Sequence, residues 1–376
     1  MLPPRLVSFL ILALSFDGAL AQGPTNRHTL VSIRGEDFCI NGHPTYAGRV
    51  WNGHRIEGLL LNSRMVQGVF DDLNPETMNR WAYPDTGKWD ASRNTREFIA
   101  AMPEWRAHGL LAFTLNLQGG SPYGYSREQP WRNSAFAPDG SLRADYFSRL
   151  EKILDRADEL GMVVILGYFY QAQDRVLTNE TAVLKAVDGA TGWVLDHNYR
   201  NVIIEINNEC DQHYVNEILR PGRVHELILR VQKNSVAGFH LLASTSYSGP
   251  LPRMNVATNA DFILVHGNGV RKNTFQITDS VRKIRAMCEQ PKPIVFNEDD
   301  NYNFDQPANN FIAAVNEHAS WGYFDYRRKD EKFNAGFQSV PADWTINTER
   351  KRSFFRLLSE ITGESSPHDP HGKATP

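Results

Sequence analysis

Two glutamates close strand-like runs in this chain: Glu209 in IEINNE and Glu298 in PIVFNE, each directly preceded by an asparagine. Two carboxyls held about 5–5.5 Å apart do a defined piece of chemistry at an acetal carbon. One attacks the carbon and the other protonates the leaving oxygen. The two must then ionise at different pH, and repulsion from an ionised neighbour raises the acid and supplies that separation. Either glutamate alone reads equally well as a loop acid; the shared setting makes them a pair. Asp71, Asn116, Gln118, Tyr170, Asn208 and His266 end neighbouring runs and join them as candidates for holding a ligand. No metal is expected, since a barrel metallohydrolase wants His-x-His near its first strand and none occurs. No cofactor is expected either, as no G-x-G-x-x-G follows the first strand, and no Gly-x-Ser-x-Gly elbow marks a serine esterase.

Something must bring residues so far apart in sequence to one place. Eight apolar runs of strand length lie at 65–70, 110–117, 162–170, 201–207, 240–247, 261–267, 293–298 and 321–326. Near-continuous apolar runs are what parallel strands buried on both faces look like. Segments of helical period follow them at 95–108, 145–160, 223–233, 279–287, 309–318 and 349–361, while the link between the fifth and sixth runs is short and Pro-rich. This order predicts an α/β fold, a (β/α)8 TIM barrel. A doubly wound open sheet is the other arrangement such alternation allows. Residues 30–48, with Asn41-Gly42 at their centre, read as a short N-terminal β-hairpin. In such a barrel the active site lies at the C-terminal ends of the strands, where the two glutamates and their polar neighbours fall.

The chain has 376 residues, with 40 Lys+Arg against 43 Asp+Glu. That near-balance argues against a nucleic-acid partner, which needs a basic face. With 41% hydrophobic residues the chain can build a large core. Residues 1–21 read as a cleavable signal peptide: Arg5, an apolar run from Leu6 to Phe16, then Ala19-Leu20-Ala21. The expectation is a secreted or periplasmic protein with no membrane contact after cleavage. Residues 22–29 form an N-terminal segment, 30–363 a single domain and 364–376 a disordered tail. Cys39, Cys210 and Cys288 share no short spacing and read as buried thiols, or as one disulfide and a free thiol. Asn179-Glu180-Thr181 is a glycosylation sequon.

At the two glutamate motifs the chain resembles the clan A glycoside hydrolases, the superfamily of retaining (β/α)8 glycosidases, with family 5-like enzymes the nearest comparison. The resemblance extends at the level of architecture over residues 30–363, including the opening FCINGHPTYAG. It implies that Glu209, after strand four, is the acid/base and that Glu298, after strand seven, is the nucleophile. It also implies that Asn208 meets a sugar 2-hydroxyl and that His266 contacts sugar or nucleophile. The arginine that some members carry near the end of strand two has no counterpart in TLNLQGG.

The function implied is a retaining glycoside hydrolase acting on a poly- or oligosaccharide by double displacement. A non-catalytic carbohydrate-binding barrel and a transglycosylase are the alternatives. Sugar rings stack on Trp and Tyr faces. Trp344, in the long segment after strand eight, is the candidate subsite tryptophan, and some of Trp51, Trp81, Trp89 and Trp131 should line a cleft walled by loops 72–95 and 119–144. The acids of GVFDDLNPET and NEDDNYNFD favour a neutral or cationic sugar over a polyanion.

Overall fold

The computed structural model describes residues 27–270, 273–301 and 304–364. The signal-peptide reading and the tail beyond Glu364 lie outside these residues. Eight parallel strands form the central sheet: β1 (Asn62–Arg64), β2 (Ala112–Asn116), β3 (Val163–Phe169), β4 (Val202–Asn207), β5 (Ala243–Ser244), β6 (Ile263–His266), β7 (Ile294–Asp299) and β8 (Ser320–Tyr323). Their order is β5-β4-β3-β2-β1-β8-β7-β6, so the sheet curls until only β5 and β6 are unpaired. Asp261 bridges that seam: its amide donates to the Ala243 carbonyl (3.1 Å) and its Oδ2 accepts from the Ala243 amide (2.8 Å). This is the (β/α)8 barrel the sequence predicts.

Helices follow the strands: α1 (Ala91–Ala107), α2 (Ala144–Glu159), α3 (Glu180–Asp196), α4 (His225–Lys233), α5 (Met254–Asn259), α6 (Thr274–Met287), α7 (Asn310–Asn316) and α8 (Glu349–Thr362). In α2, Phe147, Leu150, Ile153, Leu154 and Ala157 form one buried stripe. Asn179, the sequon asparagine, caps α3 by accepting from the Ala182 amide (3.0 Å). The α3 helix is absent from the sequence reading; Gly189 and Gly192 in its interior weaken the helical signal. The Pro-rich link carries only the six-residue α5. Among the described residues, no helix is long and apolar enough to cross a membrane.

The first strand departs from prediction. The run 65–70 is not a strand; Val66–Val69 is a 3-10 helix, and β1 lies just before it. The run is apolar because it is wedged beneath α1. A side chain at Gly68 would come within 2.9 Å of both Phe98 and Leu115, so the close approach needs glycine.

The strand pleat sorts the barrel into two layers. Phe113, Leu115, Val164, Leu166, Ile204 and Val265 pack outward with the helices. Their alternates Ala112, Val163, Ile165, Ile203, Leu264 and Val295 form a separate apolar cluster that includes Phe38. Phe38 belongs to the N-terminal unit, which is a three-stranded sheet of Val31–Arg34, Asp37–Ile40 and His43–Pro44 rather than a two-stranded hairpin. Asn41 and Gly42, both at positive φ, make its second turn. The unit closes the bottom of the barrel, with Phe38 edge-on to Phe262 at 5.9 Å. Cys39, Cys210 and Cys288 are all free thiols.

Candidate active site

Further up the same strands, the inward positions turn polar. Ile203 is followed two residues on by Glu205, Leu264 by His266, Val295 by Asn297 and Ala112 by Thr114 and Asn116. Glu205 is fully buried and serves the wall: Ser246 Oγ donates to its Oε1 (2.5 Å) and Asn297 Nδ2 to its Oε2 (3.4 Å).

Strict alternation would point Glu298 outward with Phe296. The β7 ladder instead shifts register between Phe296 and Asp299, and such a bulge re-aims side chains. Glu298 turns into the mouth. Its Oε2 lies 2.8 Å from Arg64 Nε, and its Oε1 accepts from Asn268 Nδ2 at 2.9 Å. Asp299 turns the other way, into four donors: Asn310 and Trp321 on Oδ2, and the Asn301 amide and side chain on Oδ1.

Glu209 follows β4 in a left-handed conformation, φ 49°, its amide donating to Ser246 Oγ (2.9 Å). Its carboxyl meets His266, whose Nδ1 lies 3.1 Å from Glu209 Oε1 and 3.8 Å from Glu298 Oε2. Oxygens of the two carboxyls and a nitrogen of His266 all fall within 4.8 Å of one another. Carboxyl groups this close can flank a single acetal bond. The same donors have the dimensions of a cation site, but the Arg64 guanidinium already sets a fixed positive charge against Glu298, so a metal ion there would meet like charge.

Burial pushes the Glu298 carboxyl above the ordinary glutamate range; Glu209 and Glu205 push the same way, against Arg64 and His266. Glu209 is held below that range. Burial would raise it, but the His266 hydrogen bond and charge, with Arg64 and Gln171, outweigh burial. Burial lowers His266, and the two glutamates more than reverse this, so its pKa is raised.

Several sequence candidates gather here. Asn208 is buried next to Glu209, with Oδ1 lacking a hydrogen-bond partner. Asn116 ends β2, two strands from β4, with both amide atoms unpartnered. Tyr170 is buried beside the pair, and its hydroxyl is raised by burial and by the charges of Glu298 and Glu209. Asp71 stands apart: Trp89 Nε1 donates to it (3.2 Å), and Arg149 lies 3.7 Å away. Trp344 is corrected. It is 1% exposed, donates Nε1 to Asn94 and packs on Phe98 and Phe337, between α1 and the barrel and away from the mouth. Gln118 spends its side chain tying loops, to Ser134, Gln173 and Tyr170.

Two further candidate residues escape the sequence reading. Arg64, at the end of β1, sets its guanidinium against Glu298, and the misplaced first strand hid it. Tyr125, on the loop after β2, accepts from Asn268 Nδ2 (2.9 Å) and donates to Asp300 Oδ2 (3.3 Å), so a loop hydroxyl is linked to Glu298 through Asn268.

No protein-family model and no curated protein matches the chain by sequence. Solved structures do. An endo-1,4-beta-mannanase from Rhizomucor miehei superposes with a TM-score of 0.55 at 10% identity, over 89% of this chain and 100% of that one. A family 5 mannosidase from the same organism, a glutamate-to-alanine mutant in complex with mannosyl-fructose, gives 0.52 at 14% identity over 89% and 97%. A broad specificity endoglucanase from Clostridium acetobutylicum gives 0.51 at 9% identity over 80% and 96%. The chain spans 61% of a longer Bacteroides vulgatus neighbour at a TM-score of 0.48. At these identities the likeness is one of fold: the chain has the barrel of glycoside hydrolase family 5 enzymes.

Proposed function

We propose that this protein is a retaining glycoside hydrolase. The observation that carries the reading is the pair Glu209–Glu298, oxygens within 4.8 Å, one of them clamped by Arg64. Glu298, oriented by Arg64 and Asn268, attacks the anomeric carbon and forms a covalent glycosyl-enzyme. Glu209 protonates the leaving oxygen, then takes a proton from the water that releases the sugar. The reaction needs a proton on Glu209, whereas burial raises Glu298 and the His266 contact lowers Glu209. His266, touching Glu209 and 3.8 Å from Glu298, is placed to move it across. The clustered unpartnered amides, Asn208 Oδ1 and both atoms of Asn116, supply hydrogen bonds for sugar hydroxyls. The substrate is a carbohydrate, met outside the cytoplasm after signal-peptide cleavage.

The test is intact mass after incubation with a panel of 2-deoxy-2-fluoro glycosyl fluorides, followed by peptide mapping. A stoichiometric gain on Glu298 is the expected result and identifies the sugar. An adduct on another residue overturns the assignment. Sugar binding with no adduct and no turnover leaves a carbohydrate-binding barrel instead, and product analysis with added acceptor separates hydrolysis from transglycosylation.

A further inference from the structure

The loops that follow β2 and β3 enclose a cavity of about 460 Å³ whose lining includes Gln129, Trp131, Gln173, Arg132, Arg143 and Arg175. Three cations face it and not one acid does. Arg143 Nε is tied to the Phe136 carbonyl (3.3 Å) and Arg175 Nε to the Ala172 carbonyl (2.5 Å), contacts that steady each side chain yet leave its charge uncompensated. In the same wall Trp131 Nε1 and Gln129 Oε1 are buried without hydrogen-bond partners. Unpaired guanidiniums converging on a polar cavity call for an anion that accepts in a forked geometry, as carboxylate and sulfate do.

None of the acids of GVFDDLNPET and NEDDNYNFD lines the cavity, and two of them are held by other donors. Asp72 is consumed by Thr77, Trp81, Asn74 and the Arg132 backbone amide, and Asp299 by its own four donors. One loop serves both the cavity and the mouth. Ala172, Gln173 and Arg175 share a loop with Gln171, which hydrogen-bonds Glu209, and with Tyr170 beside the pair.

We propose that this cavity is a subsite for an acidic sugar unit, its oxyanion held by Arg132, Arg143 and Arg175 while the glycosidic bond reaches Glu209. The oxyanion is a uronate carboxylate or a sulfate ester. This rests on the glycosidase reading for the bond's position, but not for the binding itself. Calorimetry would compare three ligands on the full chain: an oligogalacturonate, a chondroitin sulfate oligosaccharide and a neutral galacto-oligosaccharide of equal length. At least one acidic ligand should bind about tenfold or more tightly than the neutral one, the ratio shrinking with salt, and which of the two does so names the oxyanion. The Arg132→Ala/Arg175→Ala variant, altered at two exposed side chains, should lose that preference while keeping its circular dichroism and melting temperature. Equal binding of acidic and neutral ligands, or an unchanged preference in the variant, overturns the proposal. Fluorosugar labelling of Glu298 in parallel keeps the readings apart: binding without labelling removes the glycosidase, and labelling without acid preference removes the subsite.

Discussion

The two ends of the barrel are built from the same strands and follow opposite rules. At the bottom, Ala112, Val163, Ile165, Ile203, Leu264 and Val295 close on Phe38 in an apolar plug. At the top, the next inward positions leave buried polar atoms without partners: Arg64 Nη1, both amide atoms of Asn116, Asn208 Oδ1, His266 Nε2 and Asn297 Oδ1. Each such atom costs roughly 1–3 kcal/mol when it lacks a partner. A single strand thus changes its task within two residues, from Ile203 to Glu205 or from Leu264 to His266. Stability is concentrated at the bottom, and unmet hydrogen-bonding capacity is stored at the top, where a ligand can meet it.

The sharpest break in this comparison comes from substitutions at each end. On the proposed mechanism, Glu298→Gln should cut turnover by on the order of 10⁴-fold or more, since it removes the group proposed to attack. Its melting temperature should move less than that of Phe38→Ala. Phe38→Ala should cost about 3–5 kcal/mol in urea unfolding, through the cavity left against Phe262, with turnover per folded molecule unchanged. If Phe38→Ala instead lowers kcat in the folded protein, the two ends are not separable.

Next in size is the effect of pH. Burial raises Asp299 to about 6 despite its four donors. An acid that holds its proton more tightly when folded gives stability that is fully present below pH about 4 and lost as pH rises to about 6. The loss is about 3 kcal/mol. The raised Glu298 and His266 tilt stability the same way, His266 at higher pH. Denaturant midpoints should fall from pH 4 to 6.5 in the native chain and fall less in Asp299→Asn. Equal slopes would place the ionisation elsewhere.

The smallest effect sharpens the view of the top. Tyr125→Phe removes a hydroxyl that anchors Asn268 against Glu298. A loss of about 1 kcal/mol, several-fold in kcat, with a shift of the lower limb of the pH–rate profile is expected. A change in KM alone would make Tyr125 a ligand contact rather than an orienting group.

What the sequence exposes follows the same division. The carboxyl pair is legible because each glutamate terminates an apolar run, and the runs survive into the structure as β4 and β7. Arg64 is not, because the run that follows it looks like a strand; its burial comes from α1 pressing on Gly68, a contact 30 residues away that no local period reveals. Nor is the inward aim of Glu298, which depends on a bulge, or the fate of Trp344, whose indole is claimed by Asn94 and the aromatic layer under α1. Tyr125 is reached only through a loop fold that brings it across the mouth to Asn268.

Glu209 sits at φ 49°, a backbone setting that glycine adopts freely and that costs an L-residue roughly 1–2 kcal/mol. Selection for stability alone would drift this position toward glycine, which relieves the turn and deletes the carboxyl in one step. Directed evolution of this chain for heat tolerance, run without an activity screen, should therefore find position 209 early, and the stabilised lineages it yields should be catalytically silent.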